Sequence, residues 1–111
     1  EYKQVYGAKE GIILKSVAMI IKEKKLGENV TIDHQNQNVD SDYVVSSDWR
    51  TKTSAHVNRL NWKECELSLT VISEKKTSKG WELRRVFQKE QYDSLFNLID
   101  LKIYEEISRG E

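Results

Sequence analysis

The sequence predicts an α+β fold, an antiparallel sheet of four strands or slightly more with two long helices packed on one face. Two observations lead to it. Apolar residues recur every three or four positions near both ends of the chain, which is the period of a helix. Between those ends they alternate with polar residues, which is the period of a strand. The length of 111 residues fits one domain, residues 1–111, with the order α-β-β-β-β-α.

The first helix is predicted over residues 8–26. Its apolar stripe has spacings of three and four, at Ile13, Val17, Ile20 and Ile21. Lysines fill the last turn, where cations suit the helix dipole, and Gly27 fits the cap that follows.

The last helix is predicted over residues 88–108. Its main stripe comprises Tyr92, Leu95, Phe96, Ile99, Ile103 and Ile107. Leu98 and Leu101 widen this stripe, so we expect burial on more than one side or a homodimer contact through this helix.

Strands are predicted over residues 29–34, 43–50, 55–72 and 81–87, and short gaps between them favour antiparallel neighbours. The clearest alternation is at Cys65, Leu67, Leu69 and Val71. Residues 60–63 should bend, because a single strand of that length is uncommon. The polar residues 35–42 and 74–80 are predicted to be loops, the second closing a hairpin. The sheet face opposite the helices would be solvated or available to a partner.

Composition argues against several functions. The chain has 18 basic and 18 acidic residues, whereas proteins that bind nucleic acids usually carry a basic excess. A single cysteine excludes an intrachain disulfide and a four-cysteine zinc site. The longest apolar stretch, residues 11–21, is interrupted by Lys15 and too short for a bilayer. No glycine-rich phosphate loop is present. We therefore expect no cofactor, metal or transmembrane segment.

Three residues could serve catalysis. His34 and His56 could pair with a carboxylate, but they follow no recognised ligand or catalytic spacing, and we interpret them as polar strand positions. Cys65 could be a nucleophile beside a histidine, but its phase in the strand predicts a buried, inert thiol. The expectation is that the chain is not an enzyme.

Tryptophan and arginine occur together on the predicted strands. The set is Trp49, Trp62, Trp81, Arg50, Arg59, Arg84 and Arg85. These residues could close the core, with arginine stems lying over the rings. They could also form a protein contact, because both types are enriched at interfaces, or stack single-stranded bases. We select Trp49, Arg50, Trp62 and Arg84 as candidate partner contacts.

One segment resembles a known family. Residues 44–50 read Val-Val-Ser-Ser-Asp-Trp-Arg, a strand end preceded by a helix, a strand and a polar turn. This resembles the Thr-Asp-Trp strand end of the BamC-like (NlpB-like) lipoproteins of the bacterial outer membrane. The resemblance implies a helix-grip arrangement, no catalytic residues and a role in envelope assembly. That family carries a lipid on an N-terminal cysteine, which Cys65 cannot supply from mid-strand.

The leading hypothesis is therefore a non-enzymatic, protein-binding module of an envelope lipoprotein, periplasmic or associated with the outer membrane. The sequence begins with Glu1 rather than Met, so we expect any lipid anchor in a segment that precedes it. A cytoplasmic location is the alternative. The functional alternatives are binding of single-stranded nucleic acid on an aromatic sheet face, and a helix-grip pocket for a small ligand.

Overall fold

The computed structural model of the chain describes residues 2–110, so residues 1 and 111 of the predicted domain lie outside the described part. The predicted α+β class is confirmed, with an antiparallel sheet of seven strands and two helices. In chain order the elements are β1 (Tyr2–Tyr6), α1 (Glu10–Glu23), β2 (Glu28–Asp33), β3 (Asn38–Asp42), β4 (Val44–Ser46), β5 (Trp49–Arg59), β6 (Cys65–Thr77), β7 (Gly80–Arg84) and α2 (Lys89–Gly110).

The strands β5 and β6 form the spine of the sheet and pair in register from Trp49–Lys75 to Arg59–Cys65. Around one end of this pair the strand order is β1-β6-β5-β3-β2. We call this part, with residues 53–59 and 65–71 of the spine, the proximal sheet. Around the other end β4 pairs with β5 and β7 pairs with β6. We call this part, with residues 49–52 and 72–77 of the spine, the distal sheet.

Both helices cover the same face of the proximal sheet, as predicted. Val17 of α1 and Ile99 of α2 enclose the same interior space as Leu69 of β6. Alternate residues of β6, from Cys65 to Val71, are buried against this layer. The residues between them lie on the opposite, open face, so the period of two predicted the buried face correctly.

The strand predictions needed correction mainly where a strand buries little apolar surface, because such a strand lacks a hydrophobic signal. The strand β1 was not predicted, and β3 lies in the expected loop 35–42. The strand β6 continues to Thr77, so the expected loop 74–80 shrinks to a tight turn. The predicted strand 43–50 is divided by a turn at residues 47–48, where Ser47 has a φ of 57°. The helix α1 is also shorter than predicted, Glu10–Glu23 instead of residues 8–26.

One tyrosine closes a gap in the edge of β6. The strand β1 pairs with β6 up to Leu69, and β7 pairs with it only from Ser73 onward. Between them the backbone N–H of Val71 donates to the Tyr92 hydroxyl at 2.8 Å, and this hydroxyl lies 3.4 Å from the Val71 carbonyl oxygen. Tyr92 is buried, so α2 supplies the partner that a strand would otherwise supply.

The substitution Tyr92→Phe should lower the free energy of unfolding by about 1–3 kcal/mol, because it leaves a buried N–H without an acceptor. Urea denaturation measures the change. The matched control is Tyr104→Phe on the same helix, where the side chain is 72% exposed and no change is expected. An equal effect of both substitutions would contradict this role of Tyr92.

A close approach between the α1–β2 connection and β3 requires glycine at position 27. A Cβ atom there would overlap the side chain of Ser41. The Ser41 hydroxyl accepts a hydrogen bond from the backbone N–H of Thr53 at 3.0 Å, and the Thr53 hydroxyl donates to the Leu26 carbonyl at 2.8 Å. Gly27 therefore lets the chain lie against the point where β3 stops pairing with β5.

The substitution Gly27→Ala should destabilise the protein by roughly 1–3 kcal/mol, because the added methyl group displaces Ser41 from Thr53. The control Gly11→Ala should instead stabilise α1 by about 0.5–1 kcal/mol, because nothing lies within 4 Å of a Cβ added there. Thermal unfolding of both variants distinguishes the two effects. Stabilisation by Gly27→Ala would show that the close approach is not a constraint.

Candidate functional site

The distal sheet extends past the helices. Neither helix packs extensively against β4 or β7. The molecule accordingly measures 51 Å along its longest axis and 24 and 23 Å across. An uncovered sheet of this kind leaves side chains of both faces accessible, and exposed surface with aromatic residues is a common mark of an interaction site.

A β-bulge decides which side chains reach the open face of the distal sheet. Asp40 pairs with Ser54 and Val44 pairs with Thr51. Between these two pairs the β3–β4 segment advances by four residues, whereas β5 advances by only three. The extra residue shifts the alternation by one position. As a result, Tyr43 lies on the open face, in the same layer as even-numbered residues of β5.

Arg50 is the centre of a cluster on this face. Its guanidinium carbon lies 4.1 Å from the ring centroid of Tyr43 and 4.7 Å from that of Trp81. Its Nε donates to a carboxylate oxygen of Glu74 at 2.5 Å, from the position directly opposite on β6. The ammonium of Lys52 lies 4.9 Å from the Tyr43 ring. Cation–π contacts and an ion pair on one arginine thus join β5, β6, β7 and the residue that precedes β4.

The charge of the chain is segregated. Residues 43–52 and 72–86 contain seven basic and three acidic side chains, so the rest of the chain carries an acidic excess of the same size. Among residues 2–110, five of these seven cations form no ion pair: Lys52, Lys75, Lys76, Lys79 and Arg85. A basic surface of this kind attracts an anionic partner.

The structure places three of the four predicted contact residues in the distal sheet, on two different faces. Arg50 lies on the open face. Trp49 lies on the face turned toward the helix layer, with the Lys75 ammonium 5.4 Å from its ring. Arg84 shares that face and has a guanidinium nitrogen 3.9 Å from a Glu82 oxygen.

The fourth predicted contact, Trp62, lies at the other end of the molecule. It is 82% exposed in the turn between β5 and β6, about 33 Å along β5 from Trp49. Asn61 stabilises this turn, because its Oδ1 accepts hydrogen bonds from the backbone N–H groups of Lys63 and Glu64 at 2.8 and 3.0 Å. Trp62 therefore cannot share one contact surface with the distal residues.

An ion pair fastens this turn to α1. The guanidinium of Arg59 donates two hydrogen bonds to the Glu10 carboxylate and one to the Asn61 carbonyl. The hydrogen bond from Arg59 is the main reason that the pKa of Glu10 falls from 4.5 to about 2.

The pKa of Glu10 leads to a pH prediction. Because this pKa is lower in the folded protein, the pair stabilises the fold above pH 4.5 and loses this effect as the pH falls from 4.5 toward 2. Glu10→Gln should flatten the dependence of unfolding free energy on pH in that window. Urea denaturation at several pH values tests it, with Glu105→Gln as the exposed control. An unchanged slope in Glu10→Gln would refute the pKa assignment.

The residues considered for catalysis are not assembled into a reactive set. In the described residues, the only hydrogen bond of the His56 ring joins Nδ1 to Asn38 Oδ1 at 2.6 Å. His56 borders a shallow depression of about 200 Å³ that also contains Ser54 and Ser68, below the volume of a typical ligand pocket. His34 lies exposed at the turn after β2. Cys65 is buried, and burial raises the pKa of its thiol.

Residues 2–110 offer neither a set of metal ligands nor a membrane-spanning helix. No cluster of three or more His, Cys, Asp or Glu side chains in this range could hold a metal ion. In the same range, neither helix has an apolar stretch of the length needed to cross a bilayer.

Sequence reasoning selected Arg50 and named Trp81 in the wider set of tryptophans and arginines, but it missed Tyr43 and Glu74. Tyr43 precedes β4, where no buried face fixes the phase, and Glu74 was assigned to a loop. The bulge brings Tyr43 to Arg50, and the strand registers bring Glu74 and Trp81 there. Neither the bulge nor the registers can be read from residue types.

Arg50→Ala should loosen the distal strands, because it removes the contacts with both rings and leaves Glu74 without its cation. We expect backbone amides of β4 and β7 to exchange hydrogen about tenfold faster, while those of Leu67 and Leu69 keep their rates. Hydrogen exchange with mass spectrometry measures this. Arg84→Ala is the control and should have little effect, because its pair with Glu82 is exposed. Equal exchange in the Arg50 variant and the unaltered chain would contradict the role of Arg50.

A comparison with protein-family models and a search of curated proteins each give no match to this chain.

Proposed function

We propose that this chain is a non-enzymatic module that binds another protein through its distal sheet. One observation supports it most: four strands extend beyond the helix layer and carry a basic, aromatic surface organised around Arg50. This surface lies outside the hydrophobic core, so packing of the core does not explain it. Protein interfaces, in contrast, are enriched in tryptophan, tyrosine and arginine.

The proposal includes a location in the bacterial envelope, as part of a lipoprotein that serves outer-membrane assembly. The support is the BamC-like segment of residues 47–50, which forms the turn from β4 into β5 at the distal sheet. Fractionation of the cells that make the protein tests it. Recovery with the outer membrane or periplasm is expected, and recovery in the cytoplasm would contradict it.

A second candidate function is binding of single-stranded nucleic acid, which the basic excess of the distal sheet favours. The contacts of Arg50 with Tyr43 and Trp81 weigh against it, because a guanidinium already occupies one side of each ring. A homodimer through α2 is the alternative use of the chain's surface, and it is favoured by Leu101 and Tyr104, which are 62% and 72% exposed.

Site-specific photo-crosslinking in the cells that make the protein tests the proposed function. A photoreactive amino acid replaces Val45 in the distal sheet or, as controls, Val5 in β1 and Leu101 in α2. We expect Val45 to give a discrete adduct with one other protein, identified by mass spectrometry. Arg50→Ala in the same chain should greatly reduce that adduct.

The other outcomes are equally informative. A nuclease-sensitive adduct at Val45 would favour the nucleic-acid function. An adduct of twice the chain's mass at Leu101 alone would favour the helix-mediated dimer. Adducts of equal yield at all three positions, or none at Val45, would contradict a dedicated distal surface.

A further inference from the structure

The outer edge of β7 is regular. Two other edges of the sheet are not, because the register between β2 and β3 shifts between Glu28 and Thr31 and β4 has only three residues. Irregular or short edges resist pairing with another strand. The strand β1 is as regular as β7, but it lies in the proximal sheet and contacts α2. The strand β7 has five residues in unbroken register with β6, and the chain has no proline to interrupt it.

The side chains of β7 alternate in character as well as in direction. Trp81 and Leu83 lie on the open face, and Leu83 is 64% exposed. Glu82 and Arg84 lie on the other face. A strand added beside β7 would therefore meet apolar side chains on one face and charged ones on the other.

The surroundings of β7 are rich in cations without an acidic partner. Lys75 and Lys76 lie on the neighbouring strand, Lys79 lies in the turn before β7, and Arg85 follows it. Within residues 2–110 none of these four forms an ion pair. The nearby acidic side chains Glu74 and Glu82 are each paired with an arginine. The unsatisfied charge at this edge is thus positive.

We propose that β7 binds an extended segment of a partner protein as an additional antiparallel or parallel strand, and that this segment alternates apolar with acidic residues. Its apolar side chains lie beside Trp81 and Leu83, and its acidic side chains lie on the face of Arg84. Backbone hydrogen bonds along β7 contribute affinity that does not depend on the sequence of the segment. The alternation of apolar and acidic side chains in the segment provides specificity. This inference rests on the proposed function and names the chemistry of the partner.

Binding of a synthetic peptide to the full chain tests the proposal. The probe is a fluorescein-labelled peptide in which Val and Glu alternate, followed by fluorescence anisotropy. One control peptide has the same composition with its Glu residues gathered at one end, and a second alternates Val and Lys. We expect the alternating acidic peptide to bind about tenfold more tightly than either control, and more weakly as salt rises.

Matched variants locate the contact. Leu83→Ser should weaken binding of the alternating peptide about tenfold, because an apolar contact is lost. Leu101→Ser should not, although Leu101 is 62% exposed and Leu83 64%. Arg84→Glu should weaken it, whereas Lys63→Glu at the opposite end of the molecule should not. Backbone NMR shifts of the unaltered chain should change at residues 80–84 and little elsewhere.

Three results would overturn the inference: equal affinity for the alternating and the gathered acidic peptides, no loss with Leu83→Ser, or shift changes away from β7. If a labelled oligothymidylate bound more tightly than the alternating acidic peptide, and Arg84→Glu weakened its binding too, the ligand of this edge would be a nucleic acid and not a peptide. If Val45 crosslinks to a protein but the alternating peptide does not bind, the proposed function stands and this edge-strand inference fails.

Discussion

The pairing of β5 with β6 is the constraint on which the rest of the structure depends. Eleven paired residues make a ribbon about 36 Å long, whereas the fourteen residues of α1 span about 21 Å. The helix layer begins near the turn that joins the two strands, where Arg59 holds Glu10. At its other end the layer reaches Val71, which Tyr92 of α2 contacts. The ribbon continues past this point to Trp49 and Lys75, so the remaining length must be stabilised by contacts within the sheet. The Arg50 cluster supplies such contacts where no helix covers the strands.

The sequence reveals the fold wherever burial imposes a period. Strict alternation from Cys65 to Val71 and the apolar stripes of both helices depend on one shared core, and these elements were predicted correctly. The prediction weakened where that core is absent. The strand β3 reads Asn-Val-Asp-Ser-Asp with only Val39 fully buried, and none of residues 74–77 is buried. Polar strands of this kind look like loops, because their partners, and not their own residues, make them strands.

The residue types of the candidate site could be predicted from the sequence, but their positions relative to one another could not. Tryptophan and arginine on predicted strands pointed to Arg50, but the selected set joined Trp62 to it across the length of the molecule. The bulge between Asp40 and Val44 decides that Tyr43 faces Arg50, and register decides that Glu74 lies opposite. The same limit applies to charge. The net charge of the chain is zero although the distal sheet is basic, because the compensating acidic residues lie elsewhere in the fold.

Radical footprinting of side chains in living cells and in the purified chain tests most directly whether the distal sheet is the surface through which the protein acts. Oxidation of Tyr43, Trp81 and Leu83 should be marked in the purified chain and reduced in cells, where a partner covers them. Trp62 and Tyr104 should react equally in both samples and serve as internal references. Equal oxidation of the distal residues in both samples, or protection of Trp62 or Tyr104 instead, would contradict the account.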